Sequence, residues 1–244
     1  MAQTIALRGA YTAGGSANYS GTGLHFSLSS SGAQANDVAI AVLYCRANTK
    51  TVTNVSGVTQ LQYTSTANGG MIWVGVRVLD ATDISNGYFG TFDLSSVSNG
   101  TGGYVVDVFS GVDTTSPVRA SATPVSGGTG NTPDPPSLTI TSGDTVVCCY
   151  GKMDDDAGTH TPPTNYTMSS ATQYWSSTSG TDGCSGIAYR LAVAATSEDP
   201  GTFTTGAGGL TTYWYADTLC LVPGPDLVLF SGGDPLGMSG FFGV

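Results

Sequence analysis

The chain predicts an all-β protein, an antiparallel β-sandwich of jelly-roll type with two pseudo-repeated halves of about six strands each. Three observations carry that expectation. Residues that decorate exposed helices are scarce: only 10% of the 244 residues are charged, Glu occurs once (Glu198) and Lys twice (Lys50, Lys152). Short runs rich in Val, Ile, Thr and Tyr are separated by Gly/Ser/Asn clusters, with 35 glycines in all, which is the pattern of strands and turns. The third is an internal repeat, in which residues 24–112 and 136–222 carry the same succession of features.

The repeat justifies the elements in order. LHFSLSS (24–30) answers PSLTITS (136–142), each followed by a turn and an Asp. NDVAIAVLYC (36–45) answers GDTVVCCYGK (143–152), continuous apolar runs suited to strands covered on both faces. GVTQLQY (57–63) answers NYTMSSA (165–171), and GVRVL (75–79) answers AYRLA (188–192). GTFDL (90–94) answers GTFTT (201–205), and YVVDVFSGV (104–112) answers YADTLCLVP (215–223). Alternation is kept too: Ile72, Val74, Val76 and Val78 share one strand face, as do Ile187, Tyr189 and Leu191.

These segments divide the chain into an N-terminal arm or strand (1–23), a first half (24–118), a linker (119–135), a second half (136–223) and an apolar C-terminal tail (224–244). The halves form either two small sandwiches or one body with two pseudo-equivalent parts. The segment 113–136 is long enough to cross a sandwich edge, which favours one body. The tail is Gly/Pro-punctuated yet carries Leu227, Val228, Leu229, Phe230, Leu236, Met238, Phe241 and Phe242. That is too apolar for a solvated segment, so it is expected to act as an assembly tail on another chain.

Charge and cysteine usage exclude several functions. Seventeen acidic residues against seven basic ones give a net charge of −10. Phosphate contacts need a positive surface, so neither nucleic acid nor an anionic membrane is an expected partner. No stretch approaches the ~18 apolar residues of a membrane helix, and the N-terminus lacks the basic start and apolar run of a secretory signal. The five cysteines (Cys45, Cys148, Cys149, Cys184, Cys220) have no C-x-x-C spacing. They are expected to be reduced and buried, with Cys148 and Cys149 on opposite faces of one strand.

No catalytic residue, metal site or cofactor emerges. His25 and His160 sit in no metal-ligand pattern and have no evident partner. Asp154, Asp155 and Asp156 are the densest acidic run but lack the D-x-D-x-D-G spacing of a calcium loop. Trp73 and Trp214 lie in strand segments, where core packing is the expected use. Trp175, in a hairpin-tip sequence, is with Asp154–Asp156 the possible ligand loop. Arg77 and Arg190 occupy the same place in their copies, as do Asp107 and Asp217. Two structural charge pairs, Arg77–Asp107 and Arg190–Asp217, are expected across one sheet face.

Several segments resemble a family of β-sandwich proteins associated with the particles of tailed bacteriophages. FSGVDTTSPVRAS (109–121) is similar to its strand-then-turn signature, THTPPTNYTM (159–168) to its Pro-Pro turn before an aromatic strand, and AYRLAVAATSEDPGTFTT (188–205) to its strand ending in an acidic-Pro pair. SGDTVVCCYG (142–151) is similar to its opening strand; TVTNVSGVTQ in the first copy departs from the pattern, having no Pro-Pro. The resemblance implies a non-enzymatic structural protein located in the virion: a capsid decoration, cement or head-fibre subunit. Its expected partners are other virion proteins and further copies of itself in a homo-oligomer. The alternative is a receptor- or glycan-binding module of a tail fibre, using Trp175 and Asp154–Asp156.

Overall fold

The computed structural model describes residues 2–15, 21–29, 31–46, 52–66, 70–94, 101–127, 130–153, 159–174, 183–205 and 213–225. In the first part of the chain these form β1 (Ala6–Gly15), β2 (Gly21–Ser27), β3 (Val38–Arg46), β4 (Val52–Ser56), β5 (Thr59–Thr66), β6 (Gly70–Val78), a one-turn helix α1 (Ala81–Asn86), β7 (Tyr88–Leu94) and β8 (Thr101–Ser110). Then follow β9 (Val118–Ser121), β10 (Val125–Gly127), β11 (Leu138–Thr139), β12 (Thr145–Met153), β13 (Thr167–Tyr174), β14 (Gly183–Arg190), β15 (Ser197–Glu198) and β16 (Trp214–Leu221). The protein is all-β, and its sheets are antiparallel.

Two large sheets face each other. The first runs β1-β8-β3-β6-β5; the second runs β10-β16-β12-β14-β13, with β9 also on β16. Alternation assigns their faces. Val38, Ile40, Val42 and Tyr44 of β3 meet Val147, Cys149, Ile187 and Leu219 of the second sheet in one shared core. The other face of the first sheet (Leu43, Trp73, Val106) is covered by Phe26, Phe89 and Phe92 from a smaller sheet, β2-β7-β4. The other face of the second (Val146, Cys148, Tyr150) is covered by Ile140, Tyr166, Val193 and Phe203 from loops around the short β11–β15 pair. Both central strands are therefore buried on both sides, as their unbroken apolar sequences require. Close sheet packing explains one glycine: a Cβ on Gly151 would lie 2.4 Å from Tyr44 Cδ2.

The same devices recur at corresponding places in the two sheets. Asn36 (φ 71°) and Gly143 (φ 99°) take left-handed conformations one residue before Asp37 and Asp144. Each Asp accepts from a turn N–H: Gln34 to Asp37 at 2.7 Å, Thr141 to Asp144 at 2.9 Å. Gly57 (φ 69°) and Asn165 (φ 69°) precede β5 and β13. The pairing of β5 slips between Gln60 and Gln62, and that of β13 between Met168 and Ser170, so Leu61 and Ser169 are equivalent bulge residues.

Two expectations need correction. In a jelly roll the chain passes between the two sheets strand by strand. Here every strand of the first sheet lies within residues 6–110 and every strand of the second within 118–221, so the order is not of that type. The N-terminal segment, expected as an arm or a strand, supplies β1, the edge strand on β8. Residues 119–135 are not a bare linker, because they complete β9 and supply β10, both paired to β16.

Candidate functional site

Two polar centres stand out among the described residues. The first lies on the outer face of the second sheet. Strand alternation puts Tyr150 and Lys152 of β12 on that face, under three segments zipped together by backbone bonds: Phe203 N–H to Pro133 O (2.8 Å), Thr205 N–H to Asn131 O (2.9 Å) and Thr161 N–H to Thr204 O (2.8 Å). Lys152 is fully buried. Its Nζ donates to Asn131 Oδ1 at 2.9 Å and to Thr205 Oγ1 at 2.8 Å. The Thr205 hydroxyl in turn donates to Asn131 O at 3.2 Å. Beside it the Tyr150 hydroxyl contacts His160 Nδ1, and the Tyr150 ring tilts against Phe203 at 4.7 Å. A buried ammonium is costly without partners, so this amine locks the covering loops onto the strand. The signal was present in the sequence: Lys152 continues the apolar run of β12, where only a partnered lysine belongs.

The second centre lies between the sheets. Asp107 on β8 and Asp217 on β16 are both fully buried and both point into the shared core. Asp107 Oδ2 meets the hydroxyl of Ser169, the bulge residue of β13, which also reaches Ile187 O at 2.9 Å. Ser169 stands where the other half has Leu61, which packs on the same core. Asp217 Oδ1 accepts from Thr218 N–H at 2.7 Å, while Oδ2 has no hydrogen-bond partner. Desolvation pushes the Asp217 carboxyl up to about 8, against the smaller opposing pull of the Thr218 N–H. Desolvation also raises the neighbouring Cys149 thiol well above its ordinary range, and the charges of Asp217, Cys148 and Asp107 add to that.

The expected charge pairs are not formed. Arg77 binds Asp83 (Nε–Oδ2 3.0 Å) and Asp80 (Nη2–Oδ2 2.8 Å) at the start of α1, where the two aspartates also form a reciprocal cap. Arg190 binds Glu198 at 2.7 Å, and Tyr166 Oη shares that oxygen at 3.1 Å. The reason is parity. Arg77 pairs with Ala39, whereas Asp107 pairs with Ile40; Arg190 pairs with Val146, whereas Asp217 pairs with Cys149. In both sheets the arginine is on the outer face and the aspartate on the inner one. The aspartates are not equivalent either. Tyr104 and Ala216 face the matching residues Leu43 and Tyr150, so Asp107 corresponds to Leu219 and Asp217 to Val105.

Cys149 faces the shared core and Cys148 the outer layer, and all five cysteines are buried and outside any disulfide. Trp73 is fully buried, with Nε1 donating to Gln60 Oε1 at 3.0 Å. His25 lies against Tyr88, its Nδ1 3.0 Å from Gly90 O. Trp175, Asp154, Asp155 and Asp156 lie outside the described residues, as do Leu227, Val228, Leu229, Phe230, Leu236, Met238, Phe241 and Phe242. No helix among the described residues is long and apolar enough to cross a membrane, and no group of three or more His, Cys, Asp or Glu there has metal-binding geometry. Comparison with protein-family models, with curated proteins and with solved structures finds no match.

Proposed function

We propose that this chain is a structural protein of a bacteriophage particle, a capsid decoration, cement or head-fibre subunit that works through buried contact area rather than catalysis. The observation that supports the reading is the set of backbone contacts that fixes Gly224 and Pro225. Gly224 donates to Gly111 O at 2.8 Å and accepts from Gln3 N–H at 2.9 Å, and Gln3 Nε2 holds Pro225 O at 3.0 Å. Beside this knot is a groove of about 290 Å³ whose lining includes Ile5, Leu191, Ala192 and Pro223. Leu191 is 42% exposed, unusual among the described leucines.

The last described strand ends at Leu221, and the sequence after Pro225 adds eight large apolar side chains between Leu227 and Phe242. Burying each is worth roughly 1.5–3 kcal/mol, a reserve suited to contacts between subunits. Partners on this reading are other virion proteins and further copies of the chain. The acidic balance argues against nucleic acid, and the role calls for no cofactor.

The test is a chain ending at Pro225. It is expected to remain a folded, soluble β protein by circular dichroism and to fail to enter particles when it replaces the full chain in an infection. Incorporation at the level of the full chain, or aggregation of the shortened chain by itself, contradicts the reading.

A further inference from the structure

We propose that Lys152 and Asn131 are the two halves of a self-forming isopeptide bond, a covalent modification that ties the central strand β12 to the segment between β10 and β11. This stands apart from the particle assignment and does not depend on it. The amine and the carboxamide are already in contact, Nζ to Oδ1 2.9 Å. The carbonyl carbon lies one bond of about 1.2 Å behind Oδ1, so Nζ is within about 4 Å of Cγ. A small rotation of either side chain brings nucleophile and electrophile to a near-attack distance of about 3–3.5 Å. Both groups are held by the surrounding sheet and loops: Lys152 is fully buried between Cys184 and Trp214 on neighbouring strands. The backbone around Asn131 is fixed by Thr205 N–H. Such preorganisation lets an ordinarily sluggish amide exchange proceed without an enzyme.

The step balances without a co-reactant. The Lys152 ammonium releases a proton, and Thr205 Oγ1, 2.8 Å from Nζ, is placed to pass it on. The neutral amine forms the Nζ–Cγ bond, and the carbonyl electron pair moves to Oδ1. When that pair returns, the Cγ–Nδ2 bond breaks; Nζ sheds a second proton as it becomes the amide nitrogen, which makes the departing NH2 ammonia, and the proton released first makes it ammonium. One ammonium and one primary amide become one secondary amide and one ammonium ion; nothing is oxidised or reduced. The product replaces a buried charge, costly to keep in a dry layer, with a neutral amide.

The sequence makes the test direct. Residues 120–152 contain no Lys or Arg before Lys152, and the next Lys or Arg is Arg190. Trypsin therefore releases 120–152 from an unlinked chain, whereas the linked chain resists cleavage at Lys152 and yields 120–190, lighter by one ammonia. The experiment is mass spectrometry of the purified full chain under denaturing conditions, followed by this peptide map. The expected result is the ammonia deficit in nearly all molecules and its location in 120–190, with normal mass in Lys152→Arg and in Asn131→Ala. Thr205→Val is expected to slow formation, so that freshly made protein is mostly unlinked. Sequence mass with complete cleavage after Lys152 in the natural chain overturns the proposal, and that measurement does not require either variant to fold. An ammonia deficit that persists in Lys152→Arg is a succinimide elsewhere and overturns it equally.

Discussion

Arg119 grips both carboxylate oxygens of Asp144, Nε to Oδ2 at 2.8 Å and Nη2 to Oδ1 at 3.1 Å, and Arg8 reaches Asp37 in the same place of the other half at 2.5 Å. Both arginines sit at register slips of edge strands: Arg8 between Leu7 and Gly9 of β1, which pairs with β8, and Arg119 of β9 opposite the step from Cys220 to Leu221 of β16. The slip re-aims the side chain toward the turn that opens the central strand. Asp144 is almost fully buried, whereas Arg119 is 41% exposed, so the pair lies between the surface and the interior regimes.

From this geometry, Arg119→Ala is expected to destabilise the fold by about 2 kcal/mol, because Asp144 is left buried with only its turn N–H. Asp144→Ala loses that turn bond as well and costs more. A double-mutant cycle by chemical denaturation is expected to return a coupling of about 1–2 kcal/mol. Additivity within error would show that the contact contributes nothing.

The buried carboxyl of Asp217 sets a pH dependence. Its folded value, about 8, lies above the ~3.9 of an unfolded aspartate. The folded state therefore binds the proton more tightly. The associated stability is fully present below about pH 4, falls as the pH rises, and is lost through pH 8. Asp107 and Cys149 face the same space and would oppose a second negative charge there. Asp217→Asn cannot ionise, so the melting temperature of the natural chain relative to this variant is expected to fall from pH 5 to about pH 8 and level off above it. A constant difference across that range would mean that Asp217 does not titrate with folding.

Much of the fold was legible because strand alternation and turn residues are local. The pairs of segments read from the sequence include β3 with β12, β5 with β13, and β6 with β14, which occupy the same positions in the two sheets. Bulges were not legible, since one extra residue inverts the face of everything beyond it without changing composition. Ser169, Arg8 and Arg119 all owe their roles to such slips. Arg77 and Arg190 were assigned to Asp107 and Asp217 by position in the repeat, when parity places them on opposite faces and nearer carboxylates at Asp80, Asp83 and Glu198 take them up. The Lys152–Asn131 contact joins a strand to a connecting segment, and no periodicity announces that kind of meeting.

On the proposed reading, this chain is a building component of a virus particle. Quantitative mass spectrometry of purified particles, with known capsid proteins as internal standards, tests it most directly. The expected result is a stoichiometric presence, with copies in the hundreds for a shell-decorating subunit. Absence of the chain from particles produced by an infection that expresses it would overturn the structural role.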